Sequence, residues 1–165
     1  MSEIQKAIQE QIAKRRLNIL KGVISVNKVS NDSYEEIQKA QTIILEASVG
    51  IVVNDFGQIH LGLAISDDER NGNWCFPGGG IDDGENSLNA AIREVYEEMG
   101  LICEPLQIIH LYHPTKPKVA FHILKSKTTE INFNEEFQDA RWFNIGEPLP
   151  ENILPLNLEI LKILS

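Results

Sequence analysis

Apolar and polar residues alternate through the middle of the chain in a way that predicts a sheet. Residues 43–53 are apolar at every second position, the polar turn 54–57 follows, and residues 58–65 return as a second strand, which is the pattern of a hairpin. Further strand-like runs occupy 74–76, 106–112, 119–124 and 140–143, and 23–29 is either a strand or a loop. Pairing is expected to stop at 77–80, where a proline precedes three glycines.

Apolar residues recur at helical spacing in three segments, which predicts helices at 2–20, 86–99 and 154–164. In the second of them Asn86 is a suitable N-cap, and Gly100 is placed to end the helix in the left-handed conformation. A further short helix is expected from Ser33, because Ser33 and the glutamate three residues later form a capping box. The order of strands and helices is too irregular for a repeated βαβ series, so we expect an α+β fold.

The composition is that of one globular domain: 165 residues, 42% hydrophobic and 24% charged. No apolar run approaches the roughly 18 to 20 residues of a membrane helix, and residues 1–16 carry charges where a signal peptide is apolar. We therefore expect a soluble, cytoplasmic protein with no membrane partner. Cys75 and Cys103 lie in apolar surroundings without ligand-like spacing, so they are expected to be free buried thiols.

Charge is distributed unevenly along the chain. The formal net charge is −9, and residues 46–165 hold 8 basic against 19 acidic residues. Such a body is poorly suited to nucleic acid, which needs a basic face, so no nucleic-acid partner is expected. A small nucleotide held through metal ions is compatible with this charge. Within the body, the segment 105–129 contains no Asp or Glu and is its one basic stretch.

An acidic face is expected on the helix 86–99. Glu94, Glu97 and Glu98 are separated by three and four residues, so they share one face, opposite the apolar stripe. Three carboxylates on one turn repel one another, and a hard divalent cation such as Mg²⁺ or Mn²⁺ usually offsets that repulsion. The alternative is a solvated acidic surface.

Arg93 is the only cation in this acidic segment. We expect it to brace carboxylates, through Glu97 one turn further on or through Glu85 in the preceding loop. The glycines before the helix would allow the backbone to approach a metal ion and a phosphate closely.

The run from Gly79 through Glu85 to Arg93-Glu94-Val95-Tyr96-Glu97-Glu98-Met99-Gly100-Leu101 resembles the Nudix box, GX5EX7REUXEEXGU, in which U is a bulky aliphatic residue. Residues 76–79 and 140–143 also look like their counterparts in Nudix hydrolases. The resemblance covers about 46–165 and implies an α/β/α sandwich around a mixed sheet there. Residues 1–45 fall outside it, and their helical periodicity predicts an extra N-terminal helical arm. It also implies Mg²⁺-dependent hydrolysis of a nucleoside diphosphate linked to another group, with Mn²⁺ as a possible substitute.

Carried over by position, the resemblance implies a set of site residues. The expected metal ligands are the side chains of Glu94, Glu97 and Glu98 with the backbone carbonyl of Gly78, supported by Glu85 and Arg93. Glu94 would serve as ligand and base together, or the base would be a late-loop glutamate, Glu135 or Glu136. We favour Glu136, also as a metal ligand, because it stands six residues before Trp142.

The substrate side is less well defined by the sequence. Lys118 and His122 share one face of a predicted strand and could meet phosphates or a base, or they are ordinary surface residues of a hairpin. Tyr112 is an aromatic residue available for stacking, although core packing is the more common role. ADP-ribose, dinucleoside polyphosphates, nucleotide sugars and modified nucleoside triphosphates all stay open as substrates. RNA 5′ ends are less expected, unless the basic cluster Lys14-Arg15-Arg16 faces the site.

Two further alternatives concern the whole chain. A Nudix fold with no hydrolytic activity could act as a nucleotide-binding sensor, although no acidic position of the box is replaced. Residues 1–45 either pack on the sheet or exchange with a second copy to build a homodimer.

Overall fold

The computed structural model describes residues 25–28, 45–113, 116–144 and 147–164. The predicted helices at 2–20 and from Ser33 lie outside these residues. In chain order the elements are β1 (Ser25–Lys28), β2 (Ala47–Val53), β3 (Gln58–Ala64), β4 (Trp74–Cys75), β5 (Gly78–Gly80), α1 (Ser87–Met99), β6 (Cys103–His113), β7 (Lys116–Ser126), β8 (Phe137–Asn144) and α2 (Pro155–Leu164).

The strands form one mixed sheet of eight, in the order β1-β6-β7-β2-β3-β4, with β5 paired to β2 and β8 paired to β3. β2 runs parallel to β7 and antiparallel to β3 and β5. β1 adds an edge strand to β6, with Ser25 opposite Tyr112. The segment 25–28, part of the N-terminal arm, therefore extends the same sheet that carries the rest of the fold.

Within the described residues, each face of the sheet is covered by one helix, because the strands direct alternate apolar residues to opposite sides. One cluster joins odd-numbered residues of β2, such as Ile51, to Ile160 and Leu161 of α2. The other joins Val52 of β2 to Val95 and Met99 of α1. The mixed sheet between two helices confirms the predicted α+β sandwich.

The helix α1 begins and ends as predicted. The Asn86 side chain accepts a hydrogen bond from the Asn89 N–H at 2.8 Å, which satisfies one of the free donors of the first turn. Gly100 ends the helix with φ 68°, and its N–H donates to the Tyr96 carbonyl at 2.8 Å. α1 therefore has fixed ends, and its acidic face has a defined orientation.

The prediction that pairing stops at 77–80 is wrong. Gly78–Gly80 forms β5 and pairs with β2, in the register Gly78 opposite Val49. A Cβ on Gly78 would lie 2.5 Å from the Ser48 carbonyl oxygen, so only a residue without a side chain can come this close. The glycine run that suggested a break is what permits this pairing.

The expectation that both cysteines are free buried thiols is met in the described residues. Cys75 and Cys103 are buried and free. No helix in the described segments is both long enough and apolar enough to cross a membrane.

Candidate active site

The acidic face of α1 lies beside β5, and its three glutamates have different environments. Glu98 is buried at 3% exposure, the Glu94 side chain is 15% exposed and the Glu97 side chain is 53% exposed. Burial of the Glu98 carboxylate, with Glu94 largely enclosed beside it, is unfavourable unless positive charge or hydrogen bonds compensate it. The face is therefore more than a solvated surface.

Glu98 is held against the glycine strand. Its Oε2 accepts a hydrogen bond from the Gly78 N–H at 2.8 Å. Burial, followed by the like charges of Glu136 and Glu94, raises the pKa of Glu98 to about 8. A carboxyl group in this environment would be stabilised in its charged form by an additional cation.

Arg93 braces the site through all three guanidinium nitrogens. Nε and Nη2 donate to the two oxygens of Glu85 at 2.9 and 3.0 Å, and Nη2 also donates to the Gly80 carbonyl at 2.9 Å. Nη1 donates to Glu94 Oε1 at 2.9 Å and to Glu97 Oε2 at 3.0 Å. Both contacts considered from the sequence, to Glu85 and to Glu97, are therefore made. The hydrogen bonds from Arg93 lower the pKa of Glu85.

Gly79 brings the backbone into contact with a catalytic candidate. A Cβ at Gly79 would lie 2.6 Å from the carboxyl carbon of Glu94. A Cβ at the neighbouring Gly80 would meet nothing within 4 Å. The requirement for glycine at position 79 therefore comes from the position of the Glu94 carboxylate.

The loop that precedes β8 brings a further glutamate to the site. This loop is fixed to the last turn of α1, where Asn132 N–H donates to the Met99 carbonyl and Asn134 N–H to the Glu98 carbonyl, both at 2.9 Å. Burial is the main cause of the raised pKa values of Glu94 and Glu98, and the charge of Glu136 adds to both, which places Glu136 near these two carboxylates. No such interaction involves Glu135 in the described residues, which favours Glu136 of the two predicted alternatives.

The donor set fits a hard divalent cation. It consists of carboxylate oxygens, the ligands that Mg²⁺ and Mn²⁺ prefer, and the like charges of Glu94, Glu98 and Glu136 add to the pKa rise that burial causes. Among the residues that the structure describes, no three acidic, histidine or cysteine side chains stand in ligand geometry. One oxygen of Glu94 (Oε1) and one oxygen of Glu97 (Oε2) accept hydrogen bonds from Arg93, and these bonds do not involve the second oxygen of either carboxylate.

Two of the predicted substrate residues, Lys118 and His122, have partners outside the carboxylate cluster. Lys118 is exposed and paired with Glu46 at the start of β2. His122 is 1% exposed and lies under the first turn of α1, where its Nε2 is 2.9 Å from Ser87 Oγ. The structure describes the backbone of Tyr112, opposite Ala120 in β7, but not its side chain. Because His122 is enclosed between the sheet and α1, a substrate cannot reach its side chain, and it is not part of the proposed substrate site.

The sequence reasoning missed Arg70, which lies in the loop between β3 and β4. Burial raises the pKa of Glu98 and of Cys75, and the charge of Arg70 offsets part of the rise at both groups, which places Arg70 near the carboxylate cluster. The loop was predicted only as a polar segment. Its run Asp67-Asp68-Glu69-Arg70, a single cation after three acids, is the one local signal that could have singled out this arginine.

The chain is similar in sequence and in fold to known hydrolases. The model of the NUDIX domain matches residues 45–163 of the chain. The chain is 31% identical over 148 residues to an RNA pyrophosphohydrolase of Ruthia magnifica, covering 72% of this chain and 80% of that protein. It is 30% identical over 102 residues to an 8-oxo-dGTP diphosphatase of Haemophilus influenzae, covering 60% and 75%. A crystal structure of a MutT NUDIX hydrolase from Burkholderia pseudomallei has the same fold, with a TM-score of 0.56 at 22% identity over 72% of this chain and 96% of that one.

Proposed function

The chain belongs to the Nudix hydrolase family, and we propose that it cleaves a pyrophosphate linkage in a derivative of a nucleoside diphosphate. One observation carries the proposal: the carboxylates of Glu94 and Glu98 lie against the glycine strand β5, and the charge of the late-loop Glu136 acts on both. Arg93 and Glu85 hold the neighbouring backbone and Glu94 in place. Each acidic position that the family motif requires is present.

We propose that Mg²⁺ is the cofactor and that Mn²⁺ can replace it, since the Nudix family generally uses divalent metal ions. Glu94, Glu97, Glu98, Glu136 and the carbonyl of Gly78 would hold the metal. When bound, it would neutralise charge on the phosphoryl oxygens and increase the acidity of water.

The remaining roles are proton transfer from the attacking water and orientation of the metal-binding carboxylates. Glu136 stands on a loop, is exposed, and is not bonded to Arg93, so it is the better placed base to take a proton from the attacking water at a carboxylate oxygen. The water oxygen forms a bond to one phosphorus while the anhydride P–O bond breaks, and the leaving phosphate takes the electron pair. Arg93 keeps Glu94 oriented, and the Gly78 N–H keeps Glu98 oriented.

The substrate proposed first is a small nucleotide: ADP-ribose, a dinucleoside polyphosphate, a nucleotide sugar or a modified nucleoside triphosphate. The likeness to an 8-oxo-dGTP diphosphatase supports this class, and the 8 basic against 19 acidic residues of 46–165 are suited to a compact ligand. A second candidate is the 5′-triphosphate end of RNA, favoured by the likeness to RNA pyrophosphohydrolases.

A substrate panel tests the proposal directly. Release of phosphate or nucleoside monophosphate is measured for the small nucleotides and for a 5′-triphosphorylated RNA, in Mg²⁺, Mn²⁺ or EDTA. We expect hydrolysis of one class in the presence of metal and none in EDTA. Glu98→Gln and Glu94→Gln should each lower kcat by about 100-fold or more, with unchanged circular dichroism.

The matched control is Glu151→Gln, since Glu151 is exposed and lies just before α2, outside the site. It should retain wild-type activity. Tight nucleotide binding by calorimetry with no turnover of any substrate would contradict the hydrolase proposal and support the sensor alternative. Homodimer formation through residues 1–45 stays a separate prediction, which light scattering tests.

A further inference from the structure

The loop between β3 and β4 is ordered by its own hydrogen bonds. Gly72, with φ 72°, donates its N–H to the Ala64 carbonyl at 2.9 Å and accepts at its own carbonyl from Asn152 Nδ2 at 2.6 Å. Asn71 Oδ1 accepts from the Ser66 N–H at 3.2 Å. The loop also begins at the active site, because the Ile65 N–H donates to the Glu136 carbonyl at 2.7 Å. The backbone of this loop is therefore held in place and tied to the segment that carries Glu136.

Asp68 orients Arg70 within this loop. Both carboxylate oxygens of Asp68 accept from Arg70 Nε at 3.1 Å, and Oδ1 also accepts from the Arg70 N–H at 2.9 Å. Ser66 Oγ donates to the same Oδ1 at 2.6 Å. The Ser66 hydrogen bond, and then those from Arg70, lower the pKa of Asp68 to about 2, so this carboxylate stays charged and able to hold the guanidinium at neutral pH.

The pairing uses only one end of the Arg70 guanidinium. Its Nη1 and Nη2 atoms have no hydrogen-bond acceptor among the residues that the structure describes. Arg93 is different, because all three of its nitrogens donate to the site's own oxygens. Arg70 thus presents two N–H₂ groups that are fixed in direction and free to bind a ligand.

The free end of Arg70 is also well placed. The side chain is 37% exposed, so a ligand can reach it. Its positive charge offsets part of the pKa rise that burial causes at Glu98. Three lysines of the basic stretch, those whose side chains the structure describes, are paired with other carboxylates: Lys118 with Glu46, Lys125 with Asp55 and Lys127 with Glu104. A planar fork of N–H donors matches two oxygens of a phosphate better than an ammonium group does.

We propose that Arg70 binds non-bridging phosphate oxygens of the substrate through Nη1 and Nη2, and that Asp68 is the residue that positions it. This rests on the proposed function, since it takes the polyphosphate to lie at the carboxylates of α1. In a body with excess negative charge, Arg70 supplies positive charge and hydrogen-bond donors on the side of the β3–β4 loop. In this proposal neither Arg70 nor Asp68 coordinates the metal ion.

Three variants separate the parts of this proposal. Arg70→Gln removes the charge and the fork, Arg70→Lys keeps the charge without the fork, and Asp68→Asn keeps both but weakens the hold on Nε. The matched control is Arg141→Gln, because Arg141 is also an exposed arginine paired with a nearby aspartate, Asp139. Urea denaturation of each variant reports whether the fold is intact.

Two measurements are made on each variant: KM and kcat for the substrate that the wild-type protein cleaves, and the affinity for a methylene-bridged nucleoside diphosphate by calorimetry. For Arg70→Gln we expect KM and the dissociation constant to rise by roughly 10- to 100-fold, with a smaller change in kcat. Arg70→Lys should fall between Arg70→Gln and the wild type, and Asp68→Asn should weaken binding several-fold.

The inference is overturned if Arg70→Gln, folded as the wild type, binds the analogue and substrate within two-fold of the wild type and of Arg141→Gln. Failure of the proposed function gives a different result. In that case the wild type hydrolyses nothing in the panel, while the binding measurement still decides whether Arg70 contacts phosphate.

Discussion

The buried imidazole of His60 should make the protein less stable in mildly acidic solution. His60 is fully buried on β3 and contacts the Trp142 ring edge-on at 5.5 Å between centroids. Neither of its ring nitrogens has a hydrogen-bond partner among the described residues. With nothing to stabilise the imidazolium, burial lowers the pKa of His60 to about 3.

The direction follows from proton linkage. In the unfolded chain a histidine titrates near pH 6.5, whereas the folded protein does not protonate His60 until about pH 3. The contribution of His60 to stability is therefore fully present above pH 6.5 and is lost as the pH falls toward 3. Each pH unit within this window costs about 1.4 kcal/mol, so the loss from pH 7.5 to pH 5 is about 2 kcal/mol.

Comparison with His60→Leu isolates this effect, because the other titrating groups are common to both proteins. Leucine has a similar volume and no proton to gain, so we expect the variant to be as stable as the wild type at pH 7.5 and about 2 kcal/mol more stable at pH 5. The free energy of unfolding is measured by urea denaturation at several pH values, followed by circular dichroism. A difference between the two proteins that stays constant across this range would refute the reasoning.

Three further predictions concern α1, the glycine strand and the thiols. Gly79→Ala should lower kcat about ten-fold or more, because its Cβ would lie 2.6 Å from the Glu94 carboxyl carbon. Gly80→Ala is the control: no atom lies within 4 Å of its Cβ, so it should retain activity in the same assay. Asn86→Ala removes the N-cap of α1 and should reduce the free energy of unfolding by about 1 kcal/mol in urea titration. Burial raises the pKa of both cysteine thiols to about 12, so neither should react with an alkylating reagent at pH 8 unless urea is added, as mass spectrometry would show.

Local patterns predicted α1 well. Its periodicity, its N-cap Asn86 and its terminal Gly100 all act within a few residues of one another, so the sequence contains nearly the whole explanation. The strand Gly78–Gly80 was missed for the opposite reason. Its partner, β2, lies about thirty residues earlier in the chain, and glycine has low strand propensity when it is judged by itself.

The positions of His122 and Arg70 show a second limit of the sequence. Alternation correctly separated His122 from the face of Phe121 and Ile123, but it does not say which face a helix covers, and α1 buries the histidine. Arg70 lies in a loop with no periodicity, and its direction depends on hydrogen bonds to Asp68. The family motif, in contrast, placed Glu94 and Glu98 together because fixed spacing on a helix is geometry in itself.

Because the loop before β8 is bonded to the last turn of α1, the number of residues in this loop determines the position of Glu136. The amides of Asn132 and Asn134 are fixed to carbonyls of α1, and the Phe137 N–H is bonded in turn to the Asn134 carbonyl. Between these anchors Glu136 can occupy only one place along the path, and one inserted residue would displace it by up to about 3.5 Å. The length of the segment therefore sets the distance of the Glu136 carboxylate from the Glu98 carboxylate of α1, although the two residues are far apart in the sequence. Selection on this enzyme should tolerate changed side chains at the neighbouring positions more readily than a change in their number.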